Sequence, residues 1–173
     1  MRSENYNTGT AIATGLDNAT WAATTDGAVT VYDEGGANEA ANLGAYGRLY
    51  NWYAVNTGNL CPSGWHVPTD GEYTTLTDGL GGTSVAGEKM KSSASDSPTW
   101  DGTNSSGFSG LAGGYRDHNG GFSSSGGNGG NFWSASLSGT DRAWYRGLIG
   151  ATTVVSEFNG RQRFGFSVRC VRD

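Results

Sequence analysis

"CPSGWHVPTDGEYTTLTDGLGG", residues 61 to 82, carries the densest local signals in the chain. Trp65 to Val67 runs into Pro68, whose ring crowds the preceding residue out of the helical region, so extended backbone is predicted there. Thr69 with Glu72 three positions on forms a capping box, and a short helix should start at once. Tyr73, Leu76 and Leu80 lie along one stripe of that helix, and Gly81-Gly82 ends it by offering a residue that tolerates positive φ. A further helical turn is expected over Val85 to Met90.

Working outward, "TWAATTDGAVTVYD" (20 to 33) places a β-branched and aromatic run, Val29 to Tyr32, after an Asp26-Gly27 turn, which predicts a strand or hairpin. From Asn38 to Ala54 the residues Leu43, Tyr46, Leu49, Tyr50 and Tyr53 recur at three- and four-residue intervals. That spacing predicts one helix, weakened in its first half by Gly44 and Gly47. After Lys91 the chain breaks into short apolar pieces between Gly, Ser, Asn and Asp clusters, which read as short strands joined by loops. The last piece puts Phe164, Phe166, Val168 and Cys170 on one face and Gly165, Ser167 and Arg169 on the other, as a closing sheet strand would. The fold class is therefore α+β, in one domain over 1–173. Its helical half spans about 36–91, and a mostly antiparallel sheet and loop region spans about 107–173.

Thirty glycines, 12% aromatics and only two methionines among 173 residues describe a turn-rich, aromatic-cored globule rather than a helical bundle or a disordered tail. A net charge of −5 argues against nucleic acid, which needs a clustered basic face. No run of about eighteen apolar residues occurs, so direct membrane insertion is not expected. The opening "MRSENYNTGT" lacks the features of a secretory signal, so either one was removed or none is needed. Cys61 and Cys170 are the only cysteines, and they have no zinc-type spacing. They read as a disulfide in an oxidising compartment or as two buried thiols in a reducing one. His66, between Trp65 and Val67, reads as a core histidine satisfied by a backbone partner. Neither it nor His118 has a catalytic companion nearby in sequence.

Five stretches occur in a recognisable order: "YGRLYNWYAVNTGNLCPSGWHVPTDGEYTTLTDGLGG" (46–82), "SSGFSGLAGGYR" (105–116), "FWSAS" (132–136), "AWYR" (143–146) and "GFSVRCVRD" (165–173). Together they resemble the Fibrobacter succinogenes major paralogous domain, a repeated surface-protein module. The resemblance implies a C-type lectin-like fold, related to that of the formylglycine-generating enzyme: two helices on a small twisted sheet beneath a loop-rich region. It also implies a tie between Cys61 and Cys170, and an extracellular, cell-surface or virion setting. The formylglycine chemistry needs two redox-competent cysteines near the C-terminus, and only Cys170 lies there. The Glu-Pro-Asn or Gln-Pro-Asp and Trp-Asn-Asp signatures of calcium-dependent sugar binding are absent. No cofactor is called for; a structural calcium would draw on oxygens such as those of Asp101 and Asn104.

"GGYRDHNGGFSSSGGNGGNFWSAS" (113 to 136) then reads as display loops rather than a tether, because Tyr115, Arg116, Phe122, Trp133, Ser134, Ala143, Trp144, Arg146 and Leu148 alternate as framework with interchangeable positions. Trp133 and Trp144 are expected in the core. Proteins similar to this family include variable proteins of diversity-generating retroelements. Adenine-directed change of an Asn codon never yields Lys, Met, Glu or Gln; residues 115–163 contain no Lys or Met, with Glu157 and Gln162 as single exceptions. The candidate ligand-binding residues are Asp117, His118, Asn119, Ser123, Ser124, Asn128, Asn131, Phe132, Asp141, Arg142, Tyr145, Ile149, Thr152 and Phe158. Gly121, Ser138, Gly147 and Ala151 are further candidate variable positions. The expected role is non-enzymatic binding, as an adhesin or receptor-binding domain, of a protein or glycan on a cell surface, with a homotrimer natural if the domain is virion-borne. The alternatives are a structural extracellular spacer or assembly subunit and, remotely, a formylglycine-type oxidase.

Overall fold

Asp17 starts the first helix by accepting a hydrogen bond from the Thr20 amide at 2.7 Å, and α1 (Asn18–Ala23) follows. The protein is described here from a computed structural model covering residues 1–123 and 128–173. The strand expected after Asp26-Gly27 is β1 (Val29–Val31), buried throughout.

The single helix expected over Asn38 to Ala54 is three elements instead. α2 (Glu39–Tyr46) stops at Gly47, whose φ of +78° suits a residue without Cβ. β2 (Arg48–Tyr50) then pairs antiparallel with β1, Val29 opposite Tyr50, and α3 (Trp52–Asn56) begins at Asn51. The three- and four-residue spacing survives because Leu49 and Tyr50 are buried by strand pairing, not by a helix face. Asn51, fully buried, decides the break: its Oδ1 accepts from the Ala28 amide at 2.9 Å and from the Ala54 amide at 3.1 Å, joining the entry of β1 to the start of α3.

The next stretch forms as its sequence dictates. β3 (Trp65–His66) leads to α4 (Asp70–Gly79), and both halves of the capping box are made: Thr69 Oγ1 accepts from the Glu72 amide at 3.2 Å, and Glu72 Oε2 accepts from the Thr69 amide at 2.8 Å. Gly81 and Gly82 take φ of +101° and +95°, and α5 (Thr83–Met90) continues. The second half holds β4 (Tyr115–Arg116), β5 (Phe122–Ser123), β6 (Gly129–Leu137), β7 (Arg142–Ile149), β8 (Val155–Arg161) and β9 (Val171–Arg172). The strands form antiparallel pairs β1–β2, β3–β9 and β4–β5 and one antiparallel sheet of order β6–β7–β8. The class is α+β.

The terminal segment departs from its expected form. Only Val171–Arg172 pairs regularly, with β3; the alternating residues before it make single bridges to three different sheets. Gly165 bridges Arg116, Phe166 bridges Tyr50, and Ser167 bridges Phe132. Because neighbours enclose it on both sides, Ser167 is buried along with Phe166 and Val168. Alternation announces a strand with one wet face, whereas this segment is a suture.

Two apolar clusters result. The larger joins Tyr50, Trp52, Val55, Trp133, Phe166 and Val168; the smaller joins Tyr73, Ala86 and Met90 of the helices to Phe132, Leu148 and Val155 of the sheet. Buried indoles donate to backbone carbonyls across the domain: Trp133 Nε1 to Tyr50 at 2.8 Å, Trp52 Nε1 to Ser134 at 2.9 Å, Trp21 Nε1 to Arg163 at 2.8 Å. Cys61 and Cys170 form the disulfide, Cα atoms 5.9 Å apart across a separation of 109 residues. Closing so long a loop removes unfolded-state entropy worth about 4–5 kcal/mol in the chain-entropy model. Cys61→Ser/Cys170→Ser should lose stability of that order in urea unfolding, and reduction of the native protein should reproduce the loss.

Candidate functional site

The β6–β7–β8 sheet has two unlike faces. One lies against α4 and α5 and is closed by Phe132, Leu148, Val155 and Arg146. Arg146 is fully buried, and its guanidinium reaches Asp70 Oδ1 at 2.6 Å, the Thr74 hydroxyl at 3.1 Å and Glu157 Oε1 at 3.2 Å. A buried cation is tolerated only with such partners, so Arg146 fixes the angle between sheet and helix. It is framework, as its place in the sequence pattern implied.

The other face carries the candidate site. Strand register puts Trp133, Tyr145 and Phe158 in one row, and Asn131, Gly147 and Ser156 in the next; Ile149 lies beyond them, opposite Gly129. Trp133 is sealed at the base, while Phe158 and Ile149 are 49% and 48% exposed. Rings touch in sequence from the interior outward: Phe166 meets Trp133 at 4.4 Å and Tyr145 at 4.6 Å, and Tyr145 meets Phe158 at 5.8 Å. Burial pushes the Tyr145 phenol above its ordinary pKa.

The turn between β4 and β5 joins this ridge from the side. Asp117 Oδ1 accepts from the Asn119 amide at 3.1 Å, and His118 Nδ1 lies 2.7 Å from the same carboxylate oxygen without the alignment of a hydrogen bond, an electrostatic contact. The His118 ring stands edge-on to Phe164 at 5.2 Å, and Phe164 stacks on Phe166 at 5.2 Å. Asp117, His118, Asn119, Asn131, Tyr145, Ile149 and Phe158 are thus assembled around one aromatic ridge.

Other candidates are placed elsewhere. Phe132 is 3% exposed and edge-on to Phe108, a core residue and not a displayed one. Arg142 projects from the face opposite Tyr145, its guanidinium 3.2 Å from Asn159 Oδ1, and exposed Asp141 precedes it, outside the ridge. Asn128 accepts from Trp100 Nε1 at 3.3 Å, and Thr152 donates to the Ile149 carbonyl at 3.1 Å in the β7–β8 turn. Ser123 lies on β5 opposite Tyr115; Ser124 lies outside the described residues. Trp144 is half-buried rather than core.

Lys91 is a positioning residue that no sequence signal marked. Its ammonium, 2% exposed in side chain, pairs with Asp101 at 2.7 Å and donates to the Thr152 and Ile149 carbonyls at 2.8 and 3.3 Å, pinning the β7–β8 turn. Asp101 is thereby engaged as a counter-ion, while Asn104 donates through Nδ2 to Asp96 Oδ2 and the Ser109 hydroxyl and accepts through Oδ1 from the Ser109 amide. Among the described residues no group of three or more His, Cys, Asp or Glu is placed to hold a metal ion.

His66 is also not the core residue expected. Its side chain is 38% exposed, with Nδ1 2.6 Å from Asp173 Oδ1 and Nε2 2.9 Å from Glu72 Oε1. The Asp173 carboxylate first, then Glu72, raises its pKa. Asp173 could not be foreseen as a partner across 107 residues.

An α+β domain with one disulfide and, on one face of its three-stranded sheet, an aromatic ridge running from a buried base to exposed tips is what these elements define. The chain belongs to the Fibrobacter succinogenes major domain family, whose model matches residues 1–172. No curated protein and no solved structure matches it. No helix among the described residues is long and apolar enough to cross a membrane.

Two outcomes are expected. Alanine at Asn131, Ile149 or Phe158 should shift urea-unfolding stability by less than about 1 kcal/mol, whereas Trp133→Ala should lose about 3–5 kcal/mol. Because the folded pKa of His66 is raised, its contribution is full below about pH 6.5 and fades as pH rises through the elevated value. Exposure limits that contribution to about 1 kcal/mol or less. Melting curves of His66→Gln should therefore converge on wild type at alkaline pH and fall below it under acid.

Proposed function

We propose that the chain is a non-enzymatic binding domain of C-type lectin-like fold whose aromatic ridge, with exposed Phe158 and Ile149 beside it, recognises a protein or glycan outside the cell. The observation that carries this is the ridge from His118 through Phe164, Phe166 and Tyr145 to Phe158, sealed at its base and exposed at its tips. Aromatic rings held by packing bury area in a complex at little entropy cost, while Asp117, Asn119 and Asn131 beside them supply adjustable hydrogen bonds. The disulfide between Cys61 and Cys170 in the terminal segment supports both the lectin-like reading and an oxidising, extracellular setting. The same bridge engages both cysteines of the chain, which speaks against a thiol-dependent oxidase.

Retroelement diversification is the narrower form of this reading. It gains from Asn131, Tyr145, Gly147, Ile149 and Phe158 sharing one face, and it loses Phe132, whose replacement would open the core. A template repeat differing from this region only at adenines, beside a reverse transcriptase gene, is the genomic signature it requires.

The binding test is a screen against glycan arrays and cell surfaces, repeated with Asp117→Ala/His118→Ala/Tyr145→Ala/Phe158→Ala after near-UV circular dichroism has shown the variant folded. Binding should fall by at least about tenfold, the loss expected when central aromatic contacts are truncated. Undiminished binding would favour the spacer or assembly subunit, in which this face meets only neighbours or nothing.

A further inference from the structure

A second cavity lies on the other side of the sheet, between α4, the loop at Gly107–Phe108 and the terminal segment. Its volume is about 290 Å³, at the small end of ligand sites. Leu76, Phe108 and Val171 give it apolar walls; Glu72, Tyr73 and Arg169 give it polar groups.

The polar groups are unbalanced. Glu72 is already committed, Oε1 to His66 and Oε2 to the Thr69 amide and hydroxyl. Arg146, behind Tyr73, is matched by Asp70 and Glu157. Arg169 has no carboxylate within ion-pair distance among the described residues. Its guanidinium stands over the Phe108 ring at 5.6 Å and donates to the Ser109 carbonyl through Nη2 alone. Tyr73 is 1% exposed, and its hydroxyl is buried with no hydrogen-bond partner. An unmatched, largely enclosed guanidinium and an orphan hydroxyl donor, on two residues that line one cavity, are each unfavourable alone, and one anionic acceptor between them would relieve both.

We infer that this cavity binds a small organic monocarboxylate, its carboxylate held by Arg169 and the Tyr73 hydroxyl and its apolar body against Leu76, Phe108 and Val171. An inorganic anion would satisfy the guanidinium and leave the apolar walls wet, so an amphiphilic acid fits better than phosphate. The site is separate from the proposed recognition face: α4 packs on the sheet face that holds Phe132, opposite Tyr145 and Phe158. The two readings therefore stand or fall independently.

Benzoate and its neutral isostere benzamide are the probes, titrated into the whole chain while amide and methyl NMR shifts of Leu76, Phe108 and Val171 are followed. Benzoate should give saturable shifts confined to these residues and the adjoining cavity wall. Benzamide should bind about tenfold more weakly or worse, because a charge-assisted contact is lost. Arg169→Gln should weaken benzoate by a similar factor. Tyr73→Phe keeps the ring, removes the orphan hydroxyl, and should melt no lower than wild type while binding benzoate several-fold more weakly. Equal affinity for the amide, shifts that do not saturate, or shifts centred elsewhere would overturn the assignment. So would undiminished benzoate binding by Tyr73→Phe. Should Arg169→Gln fail to fold, the acid-amide comparison on wild type and the Tyr73→Phe titration still decide the matter.

Discussion

Phe166 occupies the gap where separate sheets would otherwise fall apart. Its amide donates to the Tyr50 carbonyl and its carbonyl accepts from the Tyr50 amide, while its ring packs on Trp133 and Tyr145. Gly165 and Ser167 on either side reach Arg116 and Asn131. None of the two-stranded sheets would be stable alone. What makes them one body is that a single extended segment satisfies backbone groups of β2, β4 and β6 in succession, with the disulfide four residues on preventing its withdrawal.

The same economy explains how so glycine-rich a chain holds long loops in place. Buried cations act as hubs for backbone carbonyls. Arg116 binds the Gly120 carbonyl at 2.8 Å and that of Leu16 at 2.7 Å, and lies 3.7 Å from Glu34 and over the ring of Trp21. Lys91 does for the β7–β8 turn what Arg116 does for the β4–β5 turn. A carbonyl-rich loop folded over a cation has few alternative arrangements, so in the proposed binding role its outer side chains would not suffer the ordering loss of a free loop. Burial lowers the Arg116 pKa, yet its charge is what the surrounding oxygens require.

What could be read from the sequence follows the range of the interactions. The capping box at Thr69 and the Gly81-Gly82 stop formed as written because each is settled within four residues. Residues 38–54 misled because a strand packed between two short helices reproduces helical spacing by coincidence, and the pairing of β2 with β1 is non-local. His66 misled for the same reason, its partners being the first turn of α4 and Asp173. Phe132 was avoidable: in a strand, Asn131 and Phe132 point to opposite faces, so the two could not both be displayed. The same rule separates Tyr145 from Arg142. The aromatic ridge was legible residue by residue, but not as a surface, because Phe164 and Tyr145 are joined through Phe166, which only the suture puts between them.

Two glycines on one face of the sheet have unlike surroundings. A Cβ added at Gly160 would lie 3.2 Å from Tyr145, 3.3 Å from Phe164 and 3.5 Å from Phe166, so the ridge packs directly on that backbone and its rings would have to give slightly to admit a side chain there. At Gly147, on the same face, an added Cβ meets Asn131 Oδ1 at 3.4 Å, Ser156 Cβ at 3.7 Å and Phe158 at 3.9 Å, ordinary van der Waals contacts. A side chain at Gly160 therefore requires those rings to give by a small amount, whereas one at Gly147 begins in ordinary contact with Asn131, Ser156 and Phe158. A surface that accepts a new side chain at one position while its neighbour constrains the scaffold separates shape from stability, a condition that the proposed recognition face would need in order to diversify.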